Sequence, residues 1–283
     1  MACPKLGLGF LPLLWSLFAG VMLAVCYTIA TSKGHVYPYV PAISDTGLFY
    51  PESSIFSESF NFIAYSVLVL MMIRYFQVRQ ILASGTVQDG KEGILTKLNK
   101  ASLVVGTLSA FGATLVGNFK SERKHTTMMF FHDAGSILLF AAGSCYFWIH
   151  VVLTHHLVKI GYNSCCMFAI RFALTVLCSV CGLTFFLAEI YGYRAFLASG
   201  STHTIQQWKP GDAGYELHVV SNVAEWVAGA SFTIYISTFY SEFQRLSLEV
   251  TCQIDDPLMS SRGSTAKYST FGRINGENEG DSD

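Results

Sequence analysis

His218, Asn222 and Glu225 stand at i, i+4 and i+7, a spacing that stacks an imidazole, an amide and a carboxyl along one helical face. Together they can hold a polar ligand or relay a proton. They lie inside an apolar run, where ionisable side chains are costly and usually face a protein interior or a wet cavity. Glu225 lies roughly 12 Å below the start of its run at 1.5 Å per residue. A lone carboxylate there is expensive, so the group is expected to be protonated, hydrogen-bonded, or paired with His132 or His218. Other polar residues share that side of the apolar runs: Glu58, Asn61, Asn118, His132, Asp133 and Glu189. Their common depth predicts a pocket.

The catalytic motifs that these residue types serve elsewhere are missing. His132, Asp133 and His218 offer three zinc-ligand types, but no HExxH or comparable paired-His helix accompanies them. No Walker loop, GxSxG elbow or Rossmann fingerprint occurs. His150, His155 and His156 gather near Cys165 and Cys166 at the other side, where an aromatic-polar helix end is the simpler reading. The sequence therefore assigns no catalytic residue, metal or cofactor, and enzyme chemistry is the secondary reading.

The elements that position these residues are membrane spans. Charged residues make up 13% of the 283 residues, against about 25% in soluble domains, and mean hydropathy is +0.42. Six apolar runs, at about 8–32, 59–76, 101–119, 132–154, 167–191 and 217–240, approach or exceed the roughly 20 residues that cross a bilayer. The fold class is thus all-α, a polytopic bundle over 1–250, followed by a polar, disordered tail at 251–283. The first run is too long for a signal-peptide core. With the N-terminus cytoplasmic, only Lys33, Lys120, Arg123, Lys124, Arg194 and Lys209 of the 18 Lys and Arg fall outside, so both termini are expected in the cytoplasm. Arg74 and Arg79 shorten the second run and are expected to snorkel to the interface. Apart from such end residues, the inner half of the bundle offers almost nothing polar. Gly106, Ala110, Ala113 and Gly117 on span three, with Ala134, Ala141, Ala142, Gly143 and Ser144 on span four, mark these as close-packed core helices. A net charge of −1 gives no sign of a nucleic-acid partner.

Several stretches, in order, carry a family resemblance. The first loop reads Pro41-Ala42-Ile43-Ser44-Asp45-Thr46-Gly47, then Pro51-Glu52-Ser53. Later come Arg74-Tyr75, Lys97-Leu98-Asn99-Lys100-Ala101, Val116-Gly117-Asn118-Phe119 and His132-Asp133-Ala134-Gly135. Span six adds Leu217-His218-Val219-Val220 and Ala224-Glu225-Trp226, and Phe243-Gln244 leaves the membrane. From about residue 8 to 250 the chain resembles the DRAM family of damage-regulated autophagy modulators. The resemblance implies a six-span protein of lysosomal or related membranes that promotes autophagy, with more distant relatives linked to GPI-lipid remodelling and plasma-membrane lipid organisation. It transfers no catalytic set. Asp45, Asn118, His132, Asp133, His218 and Glu225 both match the family motifs and belong to the expected pocket or the loop above it. A longer second loop and the long tail depart from familiar members.

The tail carries two stretches of the kind sorting adaptors read: Tyr268 to Phe271 as a tyrosine-x-x-bulky pattern, and an acidic run ending in Leu258 and Met259. Cys165, Cys166 and Cys252 are candidates for palmitoylation. The reading is a multi-pass lysosomal or late-endosomal protein, with Golgi or plasma membrane as alternatives. Its outer-side pocket, formed by the residues above with Tyr37, Tyr39, Tyr50 and Trp208 as rim, would bind a lipid headgroup or small polar ligand. The alternatives are a transporter or channel with a His/Glu relay, a lipid-remodelling enzyme, and a scaffold. Partners are membrane lipids and sorting adaptors.

Overall fold

A computed structural model describes residues 7–37, 39–84, 90–121, 126–200 and 208–247. Among them six helices are long and apolar enough to cross a membrane: α1 (Phe10–Ser32), α2 (Glu52–Ala83), α3 (Glu92–Asn118), the continuous α4 (Thr126–Ile137) and α5 (Gly143–Lys159), α6 (Cys165–Ala198) and α7 (Tyr215–Ser237), which runs on through α8 (Tyr240–Phe243). No strand occurs among the described residues. The spans outrun their apolar cores: α2 begins at Glu52 and ends at Ala83, so its polar ends carry helix beyond the stretch 59–76. Leu13, Leu14, Leu17, Val21 and Val25 of α1 are exposed, the outward apolar face that lipid covers.

Both ends of the bundle chain meet on one side. Leu8 N–H donates to the Phe243 carbonyl at 3.0 Å, and six crossings require that return. We call this the terminal end and the other the loop end. At the terminal end α6 starts on Ser164, whose Oγ accepts the Met167 N–H at 3.1 Å, a side-chain N-cap that satisfies a first-turn donor.

Between the ends lies an aromatic layer. The Phe147 and Tyr235 rings stack at 3.8 Å, with Phe232 at 4.5 Å from Phe147. The Trp15 indole donates to the Ile63 carbonyl at 3.0 Å. Small residues let α3 approach its neighbours: Gly106 faces Met71 and Tyr146, and Gly117 faces Phe60. One close crossing of α3 lies one residue off the expected stripe. Gly112 of α3 lies against Gly135 and Leu139 backbone, beside a π-helical turn at Leu138–Ala142. Such a turn widens the helix by one residue and loosens its ladder; the Ser109 hydroxyl donates to the Leu139 carbonyl there at 2.9 Å.

Two expectations are corrected at the terminal end. Arg74 does not snorkel: it is fully buried, as are Arg171 and Glu242, because interior partners replace water. And the inner half of the bundle is polar. Arg171 Nη1 lies 2.7 Å from Glu242 Oε1, and Arg74 Nη2 lies 3.6 Å from the same oxygen. Asn163 Nδ2 and Ser241 Oγ also donate to the Glu242 carboxylate. Arg171 donates to Thr154 Oγ1, Thr238 Oγ1 and the Thr238 carbonyl. Arg74 donates to Gln77 Oε1, and Gln77 returns a bond to the Glu242 carbonyl. The Phe239 ring sits between the guanidiniums, 5.1 and 4.7 Å away. With Arg74 and Arg171 inside the bundle, the charge bias that orients the chain rests on the other Lys and Arg. Arg79 is exposed, as a snorkelling residue would be.

Candidate functional site

At the loop end, the segment between α1 and α2 folds back into the bundle. Val40 has φ +48, a left-handed conformation that a β-branched residue adopts only when its surroundings impose it. Those surroundings are one face of α7. Asn222 Nδ2 donates to the Val40 carbonyl at 2.8 Å, Trp226 Nε1 to the Pro41 carbonyl at 2.8 Å, and Glu225 Oε2 accepts the Ile43 N–H at 2.8 Å. Positions i, i+3 and i+4 of a helix share a face, so a single face clamps three backbone groups. Behind them a 3-10 turn, Ser44–Gly47, buries Asp45, Thr46 and Gly47. Glu225 is therefore neither lipid-facing nor alone: it ties the inserted loop to span six.

Above this clamp lies a cavity of about 580 Å³ walled by the loop, α4, α6 and α7. Of the expected pocket residues, Asp45, His132, Asp133, Glu189, His218 and Asn222 line it. His132 Nδ1 is 2.8 Å from the Phe119 carbonyl; a carbonyl only accepts, so Nδ1 carries the proton and Nε2 is the acceptor. Asn222 Nδ2 also lies 3.1 Å from His218 Nε2, which makes that nitrogen an acceptor; Nδ1 lies 3.5 Å from Glu189 Oε2 without a hydrogen bond to it. Asp45 Oδ1 accepts from Ser121 Oγ at 3.1 Å. Asn222 Oδ1 is buried without a hydrogen-bond partner.

Beneath it is a second, apolar cavity of about 100 Å³ lined by Trp15, Ala19, Leu23, Phe60, Val67, Ala110, Phe140 and Phe232, with Glu225 at its polar edge. Ser44 and Ser136 line both cavities. A groove between α1 and α7, bounded by Gly20, Leu23, Ala24, Tyr27, Trp226 and Thr233, shares Leu23 and Thr233 with the apolar cavity.

Three expected pocket residues stand apart. Glu58 is exposed on α2. Asn61 and Asn118 exchange side-chain amide bonds at 2.8 and 3.3 Å, holding α2 to α3. Of the expected rim, Trp208 is buried at 1% exposure and stacks on His218 with centroids 4.5 Å apart; Tyr37 and Tyr39 flank it, whereas Tyr50 is exposed. The sequence reading missed the hydroxyls of Ser44, Ser121 and Ser136, for which no spacing signal exists, and the pair formed by the half-buried His35 and the buried Glu52. Cys165 and Cys166 are exposed at the start of α6. Cys252, Leu258, Met259, Tyr268 and Phe271, with the tail as a whole, lie outside the described residues.

The family model described as Frag1/DRAM/Sfk1/Cwh43P N-terminal domain matches residues 7–246, the whole bundle. The chain belongs to this family. It is 32% identical over 253 residues to human "DNA damage-regulated autophagy modulator protein 2", covering 88% of each chain. It is 28% identical over 256 residues to human "DNA damage-regulated autophagy modulator protein 1", covering 90% of this chain and 99% of that one. It is 32% identical over 171 residues to "Modulator of macroautophagy TMEM150B" of Xenopus tropicalis, covering 60% and 67%. No solved structure matches. The chain is thus a multi-pass membrane protein of the Frag1/DRAM family.

Glu225 has a structural task whatever its other role. Glu225→Ala leaves the Ile43 N–H without an acceptor, a loss of about 1–3 kcal/mol for a buried group; Glu225→Gln keeps an acceptor oxygen. Hydrogen exchange at the Ile43 amide is expected to accelerate strongly in Glu225→Ala and little in Glu225→Gln. Equal protection in wild type and Glu225→Ala would remove the clamp from the account.

Proposed function

We propose that this chain modulates autophagy from a lysosomal or late-endosomal membrane, its loop end facing the lumen, and that the paired cavities bind an amphiphile. The relatives' names support the link to autophagy, and the excess of Lys and Arg toward the terminal side supports the orientation. The observation that carries the second is the stacking of two unlike hollows. A larger chamber at the loop end, with carboxylates and imidazoles set among Phe130, Ile137, Phe185 and Phe186, continues across Ser44 and Ser136 into a smaller apolar chamber deeper in the bundle. A volume of about 580 Å³ is in the range of small-molecule sites, roughly 300–1,000 Å³, and suits a lipid headgroup better than a whole diacyl lipid. His218, Asn222 and the carboxylates orient the head by hydrogen bonds, and Phe140 and Phe232 receive the chain start.

Native mass spectrometry of the protein from nanodiscs, with single-chain lipids added, tests this. His218→Ala removes the imidazole between Glu189 and Asn222, and is expected to weaken retention about tenfold, the equivalent of one hydrogen bond's 1.4 kcal/mol. Phe185→Trp, which fills the polar chamber from α6, is expected to abolish it. Retention at wild-type level in both variants would sink the reading. A transporter needs a path between the ends, and the Phe147, Tyr235 and Phe232 layer fills that space with stacked rings.

A further inference from the structure

The buried cluster at the terminal end does not balance, in charge or in hydrogen bonds. It holds two guanidiniums, which stay charged in any protein setting, against one carboxylate. Among the described residues, Glu242 and Arg171 are the charged groups that act on Arg74, so the formal sum over these residues is one positive charge with no exposure to water. The Glu242 carboxylate accepts from Arg171, Asn163 and Ser241 and meets Arg74 at 3.6 Å, beyond hydrogen-bond distance.

The unmet hydrogen bonds fall on the same edge. Arg74 Nε and Nη2 are buried with no acceptor, and so are Tyr146 Oη and His150 Nδ1. These groups are neighbours. His150 packs on Tyr146 with ring centroids 4.3 Å apart and on Phe239 at 5.5 Å, the ring that also carries Arg74. Three of the unpaired sites are N–H or O–H groups that must donate, so the missing partner is an acceptor. A buried unpaired polar group costs about 1–3 kcal/mol, more when charged, and groups of this kind in native proteins commonly mark an ion or water. Water would satisfy the donors but leave the charge, which is the larger cost away from bulk solvent.

We propose that the Arg74 edge of this cluster, with Tyr146 as second donor, binds a small inorganic anion of halide size. The anion makes the cluster neutral, two positive groups against two negative, and locks α2 and α5 to the end of α7. The site is separate from the cavities at the loop end and stands or falls without them.

The test uses the full chain in nanodiscs. Chloride is exchanged for gluconate, too large to enter, at constant ionic strength. An anion bound only by the folded state stabilises it by mass action, so the melting temperature is expected to fall by about 3 °C or more in gluconate, and to recover with bromide. Bromide-soaked crystals are expected to give an anomalous peak within hydrogen-bond reach of Arg74 Nε. Arg74→Gln, which removes the surplus charge, is expected to melt equally in chloride and gluconate; should it fail to fold, the bromide peak on the wild-type protein still decides. Equal melting of the wild type in both salts, with no bromide peak, overturns the proposal. So does a salt effect with no peak at Arg74, or lipid headgroup density in that place.

Discussion

Glu242→Ala is expected to lower stability by about 3–5 kcal/mol, the loss seen when one partner of a buried ion pair is removed. The reason is what stays behind. Arg74 and Arg171 remain fully buried with no carboxylate among the described residues to answer them, and Asn163 and Ser241 lose their acceptor. For a bundle of this size the melting temperature should drop by roughly 10 °C or more. Adding Arg171→Met should restore part of the loss, because it removes one of the stranded charges; the pair should then fall short of the sum of the single effects by about 0.5–3 kcal/mol. Melting curves of the three variants in one detergent decide it. A Glu242→Ala protein that melts with the wild type would show that the cluster carries no net stability.

The second large effect belongs to Gly112. A Cβ there would lie 2.5 Å from Leu139 N and 2.6 Å from Gly135 O, both main-chain atoms that no rotamer change can withdraw. Gly112→Val is expected to cost at least the 1–3 kcal/mol typical of overpacking, by pushing α3 away from α4 where the π-helical turn begins. Gly143→Ala should be milder, since its nearest neighbour is the tip of the Phe232 ring, which can turn. Gly20, with open space around it, supplies the control: Gly20→Ala is expected to be neutral or slightly stabilising. Yield of monodisperse protein and melting temperature across the three should fall in that order, and a Gly112→Val protein as stable as Gly20→Ala would refute the backbone contact.

What the sequence disclosed, and what it withheld, follows from the range of the interactions. The six spans are local: about twenty apolar residues in a row announce each one. Their polar ends were underestimated, as at Glu52 and Arg74, because hydropathy cannot tell a helix that leaves the membrane from one that carries charge inward. The depth of Glu225 was legible from its distance along α7, and so was the stacking of His218 and Asn222 on its face. Its partner was not, for Ile43 is 182 residues away and contributes a main-chain N–H, which every residue but proline has. The Gln77–Glu242 link spans 165 residues, and a Glu just after the last apolar run looks like any interfacial acid. Asn61 and Asn118 illustrate the opposite error: they share the depth of the pocket but not its side, and depth alone does not fix the direction in which a helix turns its amides.

Under the proposed binding of an amphiphile, the groove between the first and last spans has a consequence for how the chambers would fill. Leu23 and Thr233 wall both the groove and the inner apolar hollow, so a molecule arriving sideways between the two spans would meet these side chains at the boundary. Its supply would then be the surrounding bilayer, already crowded with competitors, so occupancy would track the mole fraction of the right amphiphile in the leaflet. A protein loaded in that manner reports on membrane composition without drawing anything from the aqueous phase.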